Sequence, residues 1–379
     1  MSTAIAVVLL AAVTLYALFG GADFGAGFWD LTAGGPEQGE APRDLIERSI
    51  GPVWEANHVW LIFIFVVTWT AFPSAYQSIW LTLFVPLTLA ALGIVLRGAS
   101  FAFRKAVIRT RFRRVFGGAF ALSSVLVPFC MGAVAGGVAS GEVPSGGKAG
   151  DPVDSWLNPT SVVIGLLSVA AAAYLSAVYL VWDARRAEDR VLVQYFRRRA
   201  VAAAVVTGVL SVIGLVVMHS RAPHVFDGLT SRALPIVVLS AVCGVGALLG
   251  LVRGAARGAR VLAALAVAGL VVSWGVAQWP YLLPESLTVE DAAASSGSLG
   301  ALAVAVVLAA LIVVPAFLLL YSLVQRRLLP DEGVPDVGDG PFPGVPAQSS
   351  ARGDATSTGG VDRGSRDPPV TAPTSAEES

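Results

Sequence analysis

Nine apolar runs of about 20 residues each follow one another along this chain, near 4–24, 52–73, 76–97, 115–138, 159–182, 200–219, 233–252, 260–280 and 298–325. Each is long enough to cross the hydrocarbon core of a bilayer as a helix. A chain of 379 residues that is 55% hydrophobic and 14% charged, against about 25% charged in soluble proteins, cannot hide that much apolar surface in water. Lipid must be its solvent. The sequence therefore predicts an all-α, polytopic transmembrane helix bundle of about nine spans over residues 1–329. The first run begins at Ala4 with no basic segment ahead of it, so it reads as a retained span rather than a cleaved signal peptide. From about Pro330 the composition turns to Gly, Pro, Ser, Asp and Thr, and residues 330–379 are expected to form a disordered cytoplasmic tail.

Direction follows from where the cations fall. The connection at 98–114 carries Arg104, Lys105, Arg109, Arg111, Arg113 and Arg114, and that at 183–199 carries Arg185, Arg186, Arg190, Arg197, Arg198 and Arg199. Arg253, Arg257, Arg260, Arg326 and Arg327 join them, with Arg43 and Arg48, on one side of a nine-span threading. The other side receives Lys148, Arg221 and Arg232. Cytoplasmic loops carry the excess of Lys and Arg, so the N-terminus lies outside and the C-terminus in the cytoplasm. The 26 basic and 26 acidic residues cancel, and the basic clusters are short and border apolar spans, which argues against nucleic-acid binding.

Ionisable groups inside a span are costly and mark function by default. Asp23 closes the first run in Gly20-Gly21-Ala22-Asp23-Phe24-Gly25-Ala26-Gly27, where glycines allow close backbone approach. The second run opens Gly51-Pro52-Val53-Trp54-Glu55-Ala56-Asn57-His58-Val59-Trp60, with Pro52 suited to a first helical turn. Glu55 and His58 stand three apart on one helix face, and Trp54 stands four from His58. Topology places Asp23 and Glu55 at similar depth in the inner half of the bilayer, with His58 about one turn deeper. Arg97 closes the third run at the same face. Such carboxylates, an imidazole and the Asn57 amide could exchange protons with inner-side water. They could equally cap helix ends and pair with Arg97, holding three helices together. Both readings stand at this point.

Other chemistry has little support. Cys130 and Cys243 sit in apolar runs outside any CxxC pair and read as packing residues, and no metal site is expected. The histidines are His58, His219 and His224 and the methionines Met1, Met131 and Met218; they offer no clear intramembrane axial pair, so haem ligation by this chain is not expected. The run Trp279-Pro280-Tyr281-Leu282-Leu283-Pro284-Glu285-Ser286 reads as interfacial aromatics with a stiff helix exit.

The blocks Ala22–Gly27, Gly51–Leu61 and Phe72-Pro73-Ser74-Ala75-Tyr76, with Arg97 and the Trp279–Pro284 exit, resemble subunit II of the bacterial cytochrome bd-type quinol oxidases over roughly residues 4–327. The resemblance implies a plasma-membrane heterodimer in which subunit I carries haem b, haem d and the quinol site. Quinol is oxidised, oxygen is reduced to water, and protons come from the cytoplasm. Subunit II would support the haem subunit and contribute part of an inner-side proton path, through Asp23 and Glu55 with Asn57, His58 and Arg97 nearby. In some members it holds a structural quinone, near the position of Trp54. Membrane lipid and small accessory subunits complete the implied partners. Three positions depart from some relatives: Gly20 stands where they have Asp, Glu55 where they have Asp, and His58 where they have Gln. A proton-coupled secondary transporter using Asp23 and Glu55 is the alternative from another class. Its usual signature, paired broken helices meeting at the midplane, has no obvious counterpart in spans six to nine.

Overall fold

A computed structural model describes residues 1–35, 38–50, 54–106 and 110–325, and the side chains in those ranges except 50, 54–56, 101–106, 110–116, 256, 321, 324 and 325. The expected tail at 330–379 lies outside the described residues. Helices α1 (Ser2–Leu31), α2 (Glu40–Ile50), α3 (Trp54–Ala71), α4 (Pro73–Thr82), α5 (Phe84–Ala106), α6 (Thr110–Ala139), α7 (Asp154–Leu157), α8 (Pro159–Arg186), α9 (Arg190–Arg221), α10 (Pro223–Thr230), α11 (Leu234–Arg253), α12 (Ala256–Gln278) and α13 (Ser296–Gln325) succeed one another. Among the described residues the nine apolar runs are mainly helical, and the run at 76–97 is divided between α4 and α5 at Leu83. Seven of these helices, α1, α6, α8, α9, α11, α12 and α13, are individually long and apolar enough to cross a membrane among the described residues. Helices α3 and α5, of 18 and 23 residues, carry the second run and most of the third.

The region after the second span departs from the expected direct passage of the run at 52–73 into the run at 76–97. Pro73 does not turn the chain straight into a third span; it starts the separate helix α4, bent 119° from α3, and the third span begins at Phe84. The reason lies in α4's polar edge. Ser78 and Thr82 are fully buried and accept hydrogen bonds from the backbone N–H groups of Gly147 (3.2 Å) and Gly150 (3.0 Å) in the loop after α6. Beyond α12 the expected stiff exit is a two-stranded antiparallel ribbon, β1 (Tyr281–Leu283) with β2 (Leu287–Thr288), entered through a cis Trp279–Pro280 bond.

Helix ends follow local chemistry. Asn158 caps α8 by accepting from the Ser161 N–H, and Pro159 occupies its first turn. Asp189 caps α9 by accepting from the Val191 and Leu192 N–H groups. Gly254 closes α11 in the left-handed region at φ +83°, which a residue with Cβ adopts at a cost.

Clusters of buried side chains show which helix ends lie together. Ile5 at the start of α1, Val67 and Ala71 at the end of α3, and Leu299 and Leu302 at the start of α13 form one cluster. Trp29 at the end of α1, Ala184 at the end of α8, Leu192 at the start of α9, Leu251 at the end of α11 and Ala259 at the start of α12 share another. That is the up-and-down threading the cation distribution requires: the second cluster lies at the arginine-rich, cytoplasmic side.

Candidate functional site: a buried ion pair between α1, α5 and α6

Asp23 and Arg97 come together in the interior. An Arg97 guanidinium nitrogen lies 2.7 Å from Asp23 Oδ1, and the same nitrogen donates to the Asp23 backbone carbonyl at 2.9 Å. The other terminal nitrogen donates to Ser124 Oγ of α6 at 2.5 Å, and Ser124 in turn donates to the Phe120 carbonyl at 2.7 Å. Arg97 is 1% exposed and Asp23 4%, so neither charge is eased by bulk solvent. The guanidinium carbon lies 4.9 Å from the centre of the Phe24 ring and 4.3 Å from that of Phe120. The cation is thus held by a carboxylate, a carbonyl, a hydroxyl and two aromatic rings, the paired and hydrogen-bonded condition under which a buried charge is tolerable.

The glycines after Asp23 make this possible. A Cβ on Gly27 would lie 2.0 Å from Ser124 Oγ and 3.0 Å from the Arg97 guanidinium. One on Gly25 would lie 1.9 Å from the carbonyl oxygen of Ala172, because α1 and α8 approach backbone to backbone there. Alternate glycines therefore serve two contacts: Gly25 admits α8 and Gly27 admits the arginine. Two residues on, Trp29 Nε1 donates to the Ala173 carbonyl at 2.8 Å and fixes α1 against α8. Asp30 meets Arg43 of α2 at 3.4 Å, at the more exposed end of α1.

One oxygen of the pair is left over. Asp23 Oδ2 is buried and has no hydrogen-bond partner among the described residues, and the Tyr16 hydroxyl is in the same condition. The Tyr16 ring lies over Gly20, where an added Cβ would meet it at 2.8 Å, so the ring extends along α1 toward Asp23. The carboxylate presents one face to Arg97 and keeps a second face for a donor.

The other sequence-predicted residues fall around this pair. Asn57, 2% exposed, donates from Nδ2 to the Phe19 carbonyl at 3.3 Å and ties α3 to α1. His58 packs edge-on against Phe24, the ring that covers Arg97, with centroids 6.1 Å apart. The side chains of Trp54 and Glu55 lie outside the described residues; their backbone opens α3. Ser124, Phe120 and Tyr16 escaped the sequence reading. A serine in an apolar span is commonly a packing residue bonded to its own helix, and Ser124 also makes that bond. His219 stacks edge-on with Phe226 and His224 with Tyr281, both far along the chain from His58 on other helices.

The comparisons with known proteins settle the family. The sequence profile described as cytochrome bd terminal oxidase subunit II matches residues 1–324. The chain belongs to the cytochrome bd terminal oxidase subunit II family. It is 22% identical over 324 residues to a putative cytochrome bd menaquinol oxidase subunit II of Bacillus subtilis, covering 83% of this chain and 92% of that one. It is 25% identical over 346 residues to cytochrome bd-I ubiquinol oxidase subunit 2 of Escherichia coli, covering 78% and 87%. A cytochrome bd ubiquinol oxidase subunit 2 of Bacillus subtilis is 30% identical, over a segment of 112 residues that makes up 32% of its length. Among solved structures, bd oxidase from Geobacillus thermodenitrificans superposes with a TM-score of 0.68 at 25% identity, covering 86% of this chain and 98% of that one. As a member of this terminal oxidase subunit family, with helices built to cross a bilayer, the chain is a multi-pass bacterial membrane protein.

Proposed function

We propose that this chain is the non-haem subunit II of a quinol:oxygen oxidoreductase, that it supports a haem-bearing subunit I, and that its α1–α5–α6 site forms part of a cytoplasm-side proton path. The observation that carries the proton-path reading is the divided carboxylate of Asp23: Oδ1 is fixed by Arg97, and Oδ2 is buried without a hydrogen-bond partner among the described residues. Reduction of oxygen consumes protons, and a path for them needs an acceptor that is oriented yet not saturated by hydrogen bonds. Arg97 orients the carboxylate and keeps an anion tolerable away from water. Asn57 and His58 position α3 against the same stretch of α1, and Glu55 belongs to the proposed path as the acidic residue in the first turn of α3. The haems of the partner supply the electron transfer and oxygen chemistry; the residues of this chain bind, orient and exclude water. A structural quinone near Trp54 and small accessory subunits belong to the same proposal.

The test is purification of the tagged chain from its native membrane with whatever accompanies it. A haem-rich membrane partner with b and d bands and quinol-driven oxygen uptake is the expected result. A colourless preparation from native membrane, with no haem partner, sinks the reading. Asp23→Asn and Glu55→Gln in the intact complex then address the path. Oxygen uptake is expected to fall about ten-fold or more, with the haem spectrum retained. Unchanged uptake in both variants would leave the site a helix clamp.

A further inference from the structure

The first three turns of α9 present an unusual face at the cytoplasmic side. Arg190, Gln194 and Arg198 succeed one another at four-residue spacing, with Val191, Tyr195 and Arg199 alongside, and these six line a shallow depression of about 500 Å³. Most of the surrounding arginines already work for the protein. Arg185 donates to the Gly254 carbonyl at 2.6 Å, and Arg197 donates to the Val252 carbonyl. Arg199 lies 3.5 Å from the centre of the Tyr195 ring and reaches the Thr32 carbonyl at 3.4 Å. Arg257 packs over Trp182 and Arg260 over Tyr179. Arg190 and Arg198 are exposed and have no hydrogen-bond, ion-pair or aromatic partner among the described residues. They are about 12 Å apart along the helix axis, so two long side chains can converge between them. Of the nearby carboxylates, Asp189 is occupied in capping α9, and Glu188 lies on the turn outside the helix. Because Asp189 takes the helix-end N–H groups, recognition of an anion here falls to the guanidinium groups.

What stands above this face decides the kind of anion. Val191, 79% exposed, sits among the arginines. Val205, Val209, Val212 and Val216, between 50% and 67% exposed, continue the same side of α9 toward the outer surface. A ligand that satisfies both parts has a negative head at the cytoplasmic surface and an apolar tail along the valines.

We propose that the cytoplasmic end of α9 is a binding site for an anionic phospholipid of the inner leaflet. Its phosphate lies between Arg190 and Arg198, and its acyl chains lie along Val205, Val209, Val212 and Val216. A phosphate matches the planar fork of arginine better than a carboxylate on a flexible chain would, because it offers several oxygens to two guanidinium groups at once. The site is independent of the proton-path reading and stands or falls separately.

The experiment uses the complex as purified, stripped of loosely held lipid and titrated in detergent with fluorescent phosphatidylglycerol or phosphatidylcholine of the same chains. Each arginine near an anionic lipid contributes about a five-fold preference, so the pair predicts roughly 30-fold tighter binding of phosphatidylglycerol. Arg190→Gln combined with Arg198→Gln is expected to bring phosphatidylglycerol down to the phosphatidylcholine level, with phosphatidylcholine binding and the thermal midpoint unchanged. If the double variant does not accumulate, each single variant is expected to lose about five-fold. Arg253→Gln, an equal charge loss at the end of α11, is expected to leave the preference intact. Equal erosion by Arg253→Gln would mean a diffuse surface potential and overturn the site. So would the absence of a phosphatidylglycerol preference in the natural protein. Displacement of the lipid by millimolar inorganic phosphate or glycerol phosphate would make this a small-anion site and overturn the lipid assignment.

Discussion

Helices α8 and α13 are both apolar, both about the length of a bilayer, and packed in opposite ways. The spanning window of α8 is 61% buried, while that of α13, the more apolar helix, is 0% buried. In water the more apolar helix would seek the core. In lipid the tails are as apolar as any leucine, so association depends on how closely backbones approach. Helix α8 carries Gly165 and the small run Ala171-Ala172-Ala173, and Ala172 is the residue whose carbonyl meets α1 at Gly25. Helix α13 carries large aliphatic side chains facing outward, such as Val307, Leu311 and Ile312. Small residues mark where the backbones of α1 and α8 approach, and the charged centre of the protein lies beside that approach.

The contrast can be broken most forcefully at its charged centre. Arg97→Gln should cost about 3–5 kcal/mol by stranding the Asp23 carboxylate, read as loss of the assembled complex from detergent-solubilised membranes. Combining Asp23→Leu with Arg97→Met should recover much of the assembly, since a buried pair replaced by apolar groups is often neutral. If Asp23 carries protons, oxygen uptake should not recover with it. Recovery of both would reduce the pair to a clamp. A smaller effect is expected at the backbone approach. Gly25→Ala should destabilise by about 1–3 kcal/mol through overpacking against Ala172, measured as a lower thermal midpoint. The same change at Gly300 of α13, where a Cβ meets nothing within 4 Å, should be neutral or stabilising by up to about 1 kcal/mol. Equal effects at the two glycines would refute the contrast. On α13, Leu311→Ala should stay within about 0.5 kcal/mol.

The smallest effect lies outside the membrane. Asp151, in the loop before α7, accepts from the Val153 and Asp154 N–H groups at 2.8 and 2.7 Å, which lowers its carboxyl below the usual range. A group whose folded value is depressed stabilises the fold above its unfolded value, near 4, and loses that contribution as pH falls through the folded one. Thermal midpoints of the natural protein and Asp151→Asn should therefore differ slightly at neutral pH and converge below about pH 4. A difference that persists in acid would assign the effect to something other than ionisation.

Much of the architecture was legible in the sequence because the bilayer leaves a chain few options: apolar length marks the spans and arginine placement orients them. The depth of Asp23 and Arg97 followed from the same threading. Their pairing was one of two readings the sequence left open, because depth alone does not say which helices are neighbours. Ser124 was hidden for a related reason: a hydroxyl in an apolar run looks alike whether it serves its own helix or another. The α4 bend was misread because the role of Ser78 and Thr82 depends on a loop about 70 residues later. Glycine spacing after Asp23 announced a close approach, and only the fold separates the work of Gly25 from that of Gly27.

The order in which the parts of the ion pair leave the ribosome gives the arginine a further meaning. Asp23 emerges first, Arg97 follows two spans later, and Ser124 and Phe120 come with the next span. When α5 is released toward lipid, its counter-charge is therefore already in the membrane, whereas half of its enclosure is not yet made. Helix α5 packs chiefly on α6, so the order of synthesis gives its arginine a counter-charge before it gives the helix its main neighbour. A nascent chain halted before Thr110 should hold its third span loosely, and one extended past Ala139 should hold it fast.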